Sequence, residues 1–286
     1  MRPLLTLVLV VLALTGCMNS GGFPLCYVDL NEPSAPVSES SINESEDVIR
    51  RNGNILLNVG KLDELIARKS GHLRVVQYTV EGDPIFDDLK YEDGRIQVRS
   101  DDTLDTYGDS LIDTYSCSSL SKEETDTRTV YVLSGCDGQQ ERVELFGFWY
   151  EVTDQRTFEF VLQYGYGHGN VIDTVGKRLV KDLLNGEVAE VNDFELTPEE
   201  RRAIYKSMVL ANYQVPKELT VACNMKPHIR YDLKVKTIHS KYRYQWSECD
   251  QSRDGEAMTG LVNTIIDVVQ ARKEYQELPP VQGGVH

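Results

Sequence analysis

A glycine-rich segment that follows an apolar stretch is the first candidate for chemistry in this sequence. It reads Tyr164-Gly165-Tyr166-Gly167-His168-Gly169. Closely spaced glycines let backbone amides approach a phosphate group. However, the GxGxG spacing has no GK[ST] continuation, and no clear helix follows to present its amino end. We therefore interpret the segment as a turn.

An acidic segment is the second candidate, and its aspartates are Asp101, Asp102, Asp105, Asp109 and Asp113. Carboxylate oxygens suit calcium, which exported proteins often meet at high concentration. The spacing does not fit an EF-hand, because no glycine falls at the sixth loop position. A solvated acidic loop is favoured, weak calcium binding stays open, and no metal site is predicted.

The histidines and serines show no catalytic spacing. None of the five histidines belongs to an HExxH or HxH arrangement, and no serine lies in a GxSxG turn. A glycosidase carboxylate pair cannot be selected from 45 acidic residues. We therefore predict no catalytic residue and no cofactor. The alternative is a cell-wall-polymer hydrolase that uses acidic residues.

Aromatic residues cluster in two stretches, Phe146–Tyr150 and Tyr242–Trp246. Such rings can stack on sugars, so a glycan or peptide platform is one interpretation. Aromatic residues that alternate along a strand more often face a core, and this second interpretation is favoured.

The chain begins with an apolar leader that ends at Leu14-Thr15-Gly16-Cys17. Its apolar stretch is too short to span a bilayer as a helix but suits a signal peptide. The ending resembles that of bacterial lipoproteins, in which the cysteine takes a diacylglyceryl group and becomes the first residue. Residues 1–16 are thus predicted to be a signal peptide. Lipid at Cys17 would hold the protein at the extracytoplasmic face of the bacterial cell membrane.

Composition limits the partners. The chain has 286 residues, 41% of them apolar, and a formal net charge of −15. The apolar fraction is enough for folded cores, whereas the charge repels phosphate backbones and anionic headgroups. Nucleic acid is therefore excluded as a partner.

Besides Cys17, the cysteines are Cys26, Cys117, Cys136, Cys223 and Cys249. An exported protein meets an oxidising environment, so disulfides are expected. The last four form two local pairs, Cys117 with Cys136 and Cys223 with Cys249. Cys26 is left as a free thiol or an intermolecular link.

The remaining pattern predicts an α+β protein of two small domains, each an antiparallel sheet with one or two packed helices. Residues 17–47 are rich in Asn, Ser, Pro and Glu, which indicates a flexible tether. Residues 48–152 combine a short amphipathic helix with several strands. Residues 153–286 add a strand, a helix capped by Thr197, two alternating strands and a final helix.

Three stretches then carry a resemblance: Asn52–Ile55 with Lys61-Leu62, Tyr78–Leu89, and Tyr131–Cys136. Together they resemble a lipoprotein domain of bacillus-type Gram-positive bacteria, the domain of unknown function family 4362, over residues of about 48–145. The resemblance implies an exported α+β domain with a cysteine pair matching Cys117 and Cys136. It implies no known activity.

The sequence thus predicts a lipid-anchored cell-surface protein with a non-catalytic binding or interaction role. Its partners would be the membrane, through lipid at Cys17, and a cell-wall or protein partner.

Overall fold

The structure is a computed structural model that describes residues 36–138 and 141–284. The predicted signal peptide, Cys17 and Cys26 lie outside the described residues. Among the described residues, no helix has the length and apolar character needed to cross a membrane.

Fifteen strands and five helices are formed within the described residues. The strands are β1 (Val48–Arg51), β2 (Ile55–Leu57), β3 (Gly71–Tyr78), β4 (Pro84–Glu92), β5 (Arg95–Asp101), β6 (Ile112–Cys117), β7 (Ser119–Glu124), β8 (Arg128–Ser134), β9 (Arg142–Trp149), β10 (Glu159–Gly165), β11 (Asn170–Asp173), β12 (Arg178–Asp182), β13 (Val188–Asn192), β14 (Arg230–Lys236) and β15 (Lys241–Ser247). The helices are α1 (Gly60–Arg68), α2 (Val152–Thr157), α3 (Pro198–Leu210), α4 (Arg253–Gln270) and α5 (Lys273–Gln276).

The first sheet has the strand order β2-β1-β3-β4-β5-β6. Its neighbours pair antiparallel except for β1 and β3, which run parallel. The connection between these two strands contains α1, because parallel neighbours need a crossover rather than a tight turn. Strands β7, β8 and β9 form a separate three-stranded middle sheet. The fold is therefore α+β, as the sequence predicts, although one sheet is mixed and the N-terminal half contains two sheets.

The C-terminal sheet has the order β13-β12-β11-β10-β14-β15 and is antiparallel throughout. One face packs against α3 and α4, whose buried side chains include Ile204, Met208 and Ile265. The Thr197 hydroxyl accepts from the Glu200 amide, and the Glu200 carboxylate accepts from the Thr197 amide. This reciprocal cap fixes where α3 begins.

The two halves share one hydrophobic core. A single cluster of buried side chains runs from Val48 to Val269 and includes members of all three sheets. Phe146 and Phe148 of β9 and Trp246 of β15 are buried in it. The prediction that the aromatic strands face a core is thus confirmed, although Trp149 is 51% exposed.

One polar contact also joins the halves. The side-chain amide of Asn212, just after α3, binds the backbone of Leu56 in β2. Its Oδ1 accepts from the Leu56 N–H at 2.8 Å, and its Nδ2 donates to the Leu56 carbonyl at 2.7 Å.

The tether prediction needs a correction. Residues 36–47, which composition assigned to the tether, lie against the first sheet and are called the strap here. Val37 is buried, Glu39–Ser41 forms a single 3-10 turn, and Asp47 is buried beside Asn43. Composition fails here because the strap is held by two apolar side chains, Val37 and Ile42, and by hydrogen bonds, which leave no periodic pattern.

Candidate functional site

Four charged side chains form a network on the face of the first sheet that the strap covers. Arg74 on β3 lies opposite Asp88 on β4, which lies opposite Arg99 on β5. Arg74 donates to both carboxylate oxygens of Asp88, at 2.6 and 3.1 Å. Arg99 donates to Asp101 at 3.0 Å and lies 3.9 Å from Asp88. The register of three adjacent strands therefore assembles this charge network.

The network is buried and holds the strap in place. Arg99 and Asp101 are 0% and 1% exposed at their side chains. Asp101 accepts from the Val37 amide at 2.8 Å, and Arg74 donates to the Ser41 hydroxyl at 3.0 Å. Buried charges are tolerated when each finds a partner of opposite charge, and each of these four side chains has one within the network.

A cavity of about 610 Å³ opens between the strap, α1 and the beginning of β3. The strap contributes Ser40, Ser41, Asn43, Glu46 and Asp47, and α1 contributes Lys61, Glu64, Leu65 and Arg68. Ser70 and His72 also line it, as do Arg74 and Asp88 of the network. This strap cavity offers hydroxyl, amide, carboxylate and cationic groups in one concave surface.

Burial and hydrogen bonding shift the pKa values around the strap cavity. Burial raises the pKa of Asp47, against hydrogen bonding from the Asn43 amide. Burial, with help from the Lys90 charge, lowers the pKa of His72. Burial alone would raise the pKa of Asp101, but bonds from Thr103, Val37 and Arg99 hold it below its usual value. Of these three groups, Asp47 and His72 line the strap cavity, and perturbed groups at a cleft are typical of binding sites and active sites.

Asp87, next to Asp88, points to the opposite face of the sheet. Burial, with the neighbouring charge of Asp88, raises its pKa to about 6, against a hydrogen bond from Ser100. Asp87 does not line the strap cavity. A carboxyl with a raised pKa is therefore present, but it lies away from the one large polar cavity described above.

Several carboxylates of the acidic segment accept hydrogen bonds from nearby backbone amides. Asp102 accepts from the Leu111 amide, Asp105 from the Tyr107 amide at 3.0 Å, and Asp113 from the Thr114 amide at 2.8 Å. Asp101 belongs to the charge network. Within residues 36–138 and 141–284, no three His, Cys, Asp or Glu side chains come together as a possible metal site.

The glycine-rich segment is a tight connection between β10 and β11. Tyr166–His168 forms a 3-10 turn, with left-handed φ values at Gly165, Gly167 and His168. The prediction of a turn is confirmed. Burial, with the nearby Arg230 charge, lowers the pKa of His168.

Both cysteine pairs that the sequence favours are joined. Cys117 bonds to Cys136 and Cys223 to Cys249, with Cα separations of 3.9 and 5.4 Å. The first bridge links the end of β6 to the loop after β8, and the second links the loop after α3 to the loop after β15.

Sequence reasoning missed the charge network and the strap cavity. The sequence did contain one signal for the charge network, because Arg74 and Asp88 have opposite charges and face each other in the β3–β4 hairpin.

One comparison with known proteins gives a match, and that match lies in the N-terminal half. A family model described as a domain of unknown function, DUF4362, matches residues 45–132. These residues therefore resemble that domain family, over a shorter span than the motifs indicated. The match begins within the strap and includes α1 and the whole charge network. No curated protein and no solved structure matches the chain.

Proposed function

We propose that this protein is a lipid-anchored, extracytoplasmic binding protein without catalytic activity, and that the strap cavity is where it binds. The ligand class would be short polar fragments of cell-wall glycan or peptide. The observation that carries the proposal is the strap cavity itself: a concave polar surface built on a buried charge network, within the residues that resemble the domain family.

The geometry suits recognition more than turnover. Arg74 and Asp88 satisfy each other in a bidentate pair, so neither is poised to exchange a proton at the cavity. Lys61 donates to Glu46 at 2.6 Å and to the Ser45 carbonyl at 2.9 Å. Groups held in this way present fixed donors and acceptors, which favours binding with little reorganisation.

The apolar N-terminal segment supports the proposed location outside the cytoplasm. The apolar leader that ends at Cys17 supports export and lipidation, and the two disulfides suit an oxidising environment. The strap is the first described part of the chain after Cys17. The strap cavity would therefore lie near the point where the tether enters the folded protein.

Location and binding are tested separately. Cys17→Ser should move the protein from the membrane fraction to the soluble fraction or leave it unprocessed. Normal processing with unchanged membrane association would contradict lipidation.

Binding is tested by titrating muropeptides and glycan fragments into isotope-labelled mature protein and following amide chemical shifts. Shifts should concentrate at the strap, α1 and the beginning of β3. Ser70→Trp should block the strap cavity and abolish them. The matched control is Ser119→Trp, at an exposed position on β7, which should leave them unchanged. Hydrolysis of the fragments, or shifts that ignore Ser70→Trp, would refute the proposal.

A further inference from the structure

The outward face of β14 and β15 is cationic, although the protein as a whole is acidic. Alternation along the strands directs Tyr231, Leu233 and Trp246 into the core and leaves their neighbours on the opposite face. The outward cations are Arg230, Lys234 and Lys236 on β14 and Lys241 and Arg243 on β15, and all five are exposed. We call β14, β15 and the turn between them, residues 237–240, the cationic hairpin.

Only part of this charge is neutralised. Arg243 donates to both oxygens of Asp232, at 3.1 and 2.6 Å, and Lys236 donates to Glu159 at 3.1 Å. Arg230, Lys234 and Lys241 form no ion pair with any residue in the described ranges. Because helices α3 and α4 cover the other face of the sheet, these three cations face outward, and Lys234 acts on the Asp232 carboxylate only through its charge.

Exposed apolar groups accompany the cations. Ile238, at the tip of the cationic hairpin, is 55% exposed. Beside the hairpin lies an open, mainly apolar cleft of about 300 Å³, in which Val161, Val175 and Tyr242 are flanked by lysines. An aliphatic side chain at the tip of a basic hairpin is costly in water but suits the boundary between headgroups and acyl chains.

The other half of the same outward face has the opposite charge. Register places Asp173 on β11, Asp182 on β12 and Glu190 on β13 outward, with Arg178 as the accompanying cation. The sheet therefore has a cationic edge and an acidic edge. At physiological ionic strength charges are screened beyond about 8 Å, so the face nearest a surface matters more than the net charge. Repulsion inferred from the overall charge therefore does not apply to the cationic hairpin.

We propose that the cationic hairpin docks on an anionic phospholipid bilayer, with its lysines at the headgroup phosphates and Ile238 in the interfacial layer. Charge complementarity favours any polyanion, but a soluble polyanion gives no role to Ile238 or to the apolar cleft. The contact is independent of the ligand at the strap cavity. In a lipid-anchored chain it would fix which side of the folded protein faces the membrane.

The test is vesicle sedimentation with the mature chain carrying Cys17→Ser, so that no acyl chain contributes. Vesicles of phosphatidylcholine alone are compared with vesicles that also contain phosphatidylglycerol. Binding should require phosphatidylglycerol and weaken as salt is raised. Each cation near an anionic surface contributes about fivefold to partitioning, so Lys234→Gln, Lys236→Gln and Lys241→Gln together should weaken it about 100-fold.

Two further variants separate the explanations. Arg95→Gln, Arg142→Gln and Lys273→Gln remove the same charge from exposed positions elsewhere and should preserve binding. Ile238→Ser should weaken binding to vesicles while leaving retention on immobilised polyphosphate unchanged. The proposal is overturned by absence of phosphatidylglycerol-dependent binding, by equal loss in both triple variants, or by tight polyphosphate binding with no effect of Ile238→Ser on vesicles.

Discussion

Asp101→Asn should destabilise the protein and release the strap. The substitution keeps the size of the side chain but removes the charge that faces Arg99, which has no exposed surface. Removing one partner of a buried ion pair costs about 3–5 kcal/mol, because the remaining charge stays buried without compensation. Asp88, 3.9 Å from Arg99, retains part of the attraction. We therefore expect a loss of about 3 kcal/mol in the free energy of unfolding.

Urea unfolding followed by tryptophan fluorescence measures this loss. With a slope of roughly 3 kcal/mol per molar for a protein of this size, the midpoint should fall by about 1 M. Hydrogen exchange should also show faster exchange at the Val37 amide, whose acceptor is the Asp101 carboxylate. The control is Asp109→Asn, at an exposed position in the same loop, which should change stability by less than about 0.5 kcal/mol. A loss below about 1 kcal/mol, or a strap that remains protected, would refute the role of the charge network.

Three further outcomes are expected. Replacing Cys117 and Cys136 together by serine should lower the free energy of unfolding by about 3 kcal/mol under oxidising conditions and make unfolding of that half insensitive to reductant. Thr197→Ala removes the cap of α3 and should cost about 1 kcal/mol, measured by thermal melting. Burial raises the pKa of Asp87 to about 6, whereas an aspartate in the unfolded chain has a pKa of 3.8. Between these two pH values the folded state keeps a proton that the unfolded chain has released. The free energy of unfolding therefore falls as the pH rises from 3.8 to about 6. Asp87→Asn should remove this fall and gain up to about 3 kcal/mol above pH 6, with no gain near pH 3 in the same urea series.

Elements with strong periodicity were predictable from the sequence. β14 and β15 alternate apolar and charged residues because one face meets helices and the other is open. Helix α3 was predictable from Thr197 and Glu200, whose reciprocal hydrogen bonds need only local sequence. Such elements depend on neighbours along the chain, so the pattern survives in the sequence.

Elements that depend on distant partners were missed. Strand β6 buries only Cys117 and strand β13 buries none of its residues fully, so neither shows the apolar alternation of a half-buried strand. In the charge network, Arg74 and Asp88 occupy alternate positions at which a charged residue ordinarily indicates solvent. They are buried because the strap covers that face, and no local pattern shows that a segment of polar composition will lie there.

The contact between Asn212 and Leu56 has a consequence for self-association. β2 is the edge strand of the first sheet, and a free edge presents unpaired N–H and carbonyl groups that recruit strands from other molecules. The side-chain amide of Asn212 accepts from the Leu56 N–H and donates to the Leu56 carbonyl. It therefore forms the two hydrogen bonds that a neighbouring strand would form with Leu56. The C-terminal half thus protects an edge that the N-terminal half would otherwise present. The N-terminal half produced alone, or a chain carrying Asn212→Ala, should therefore be the form prone to edge-to-edge aggregation.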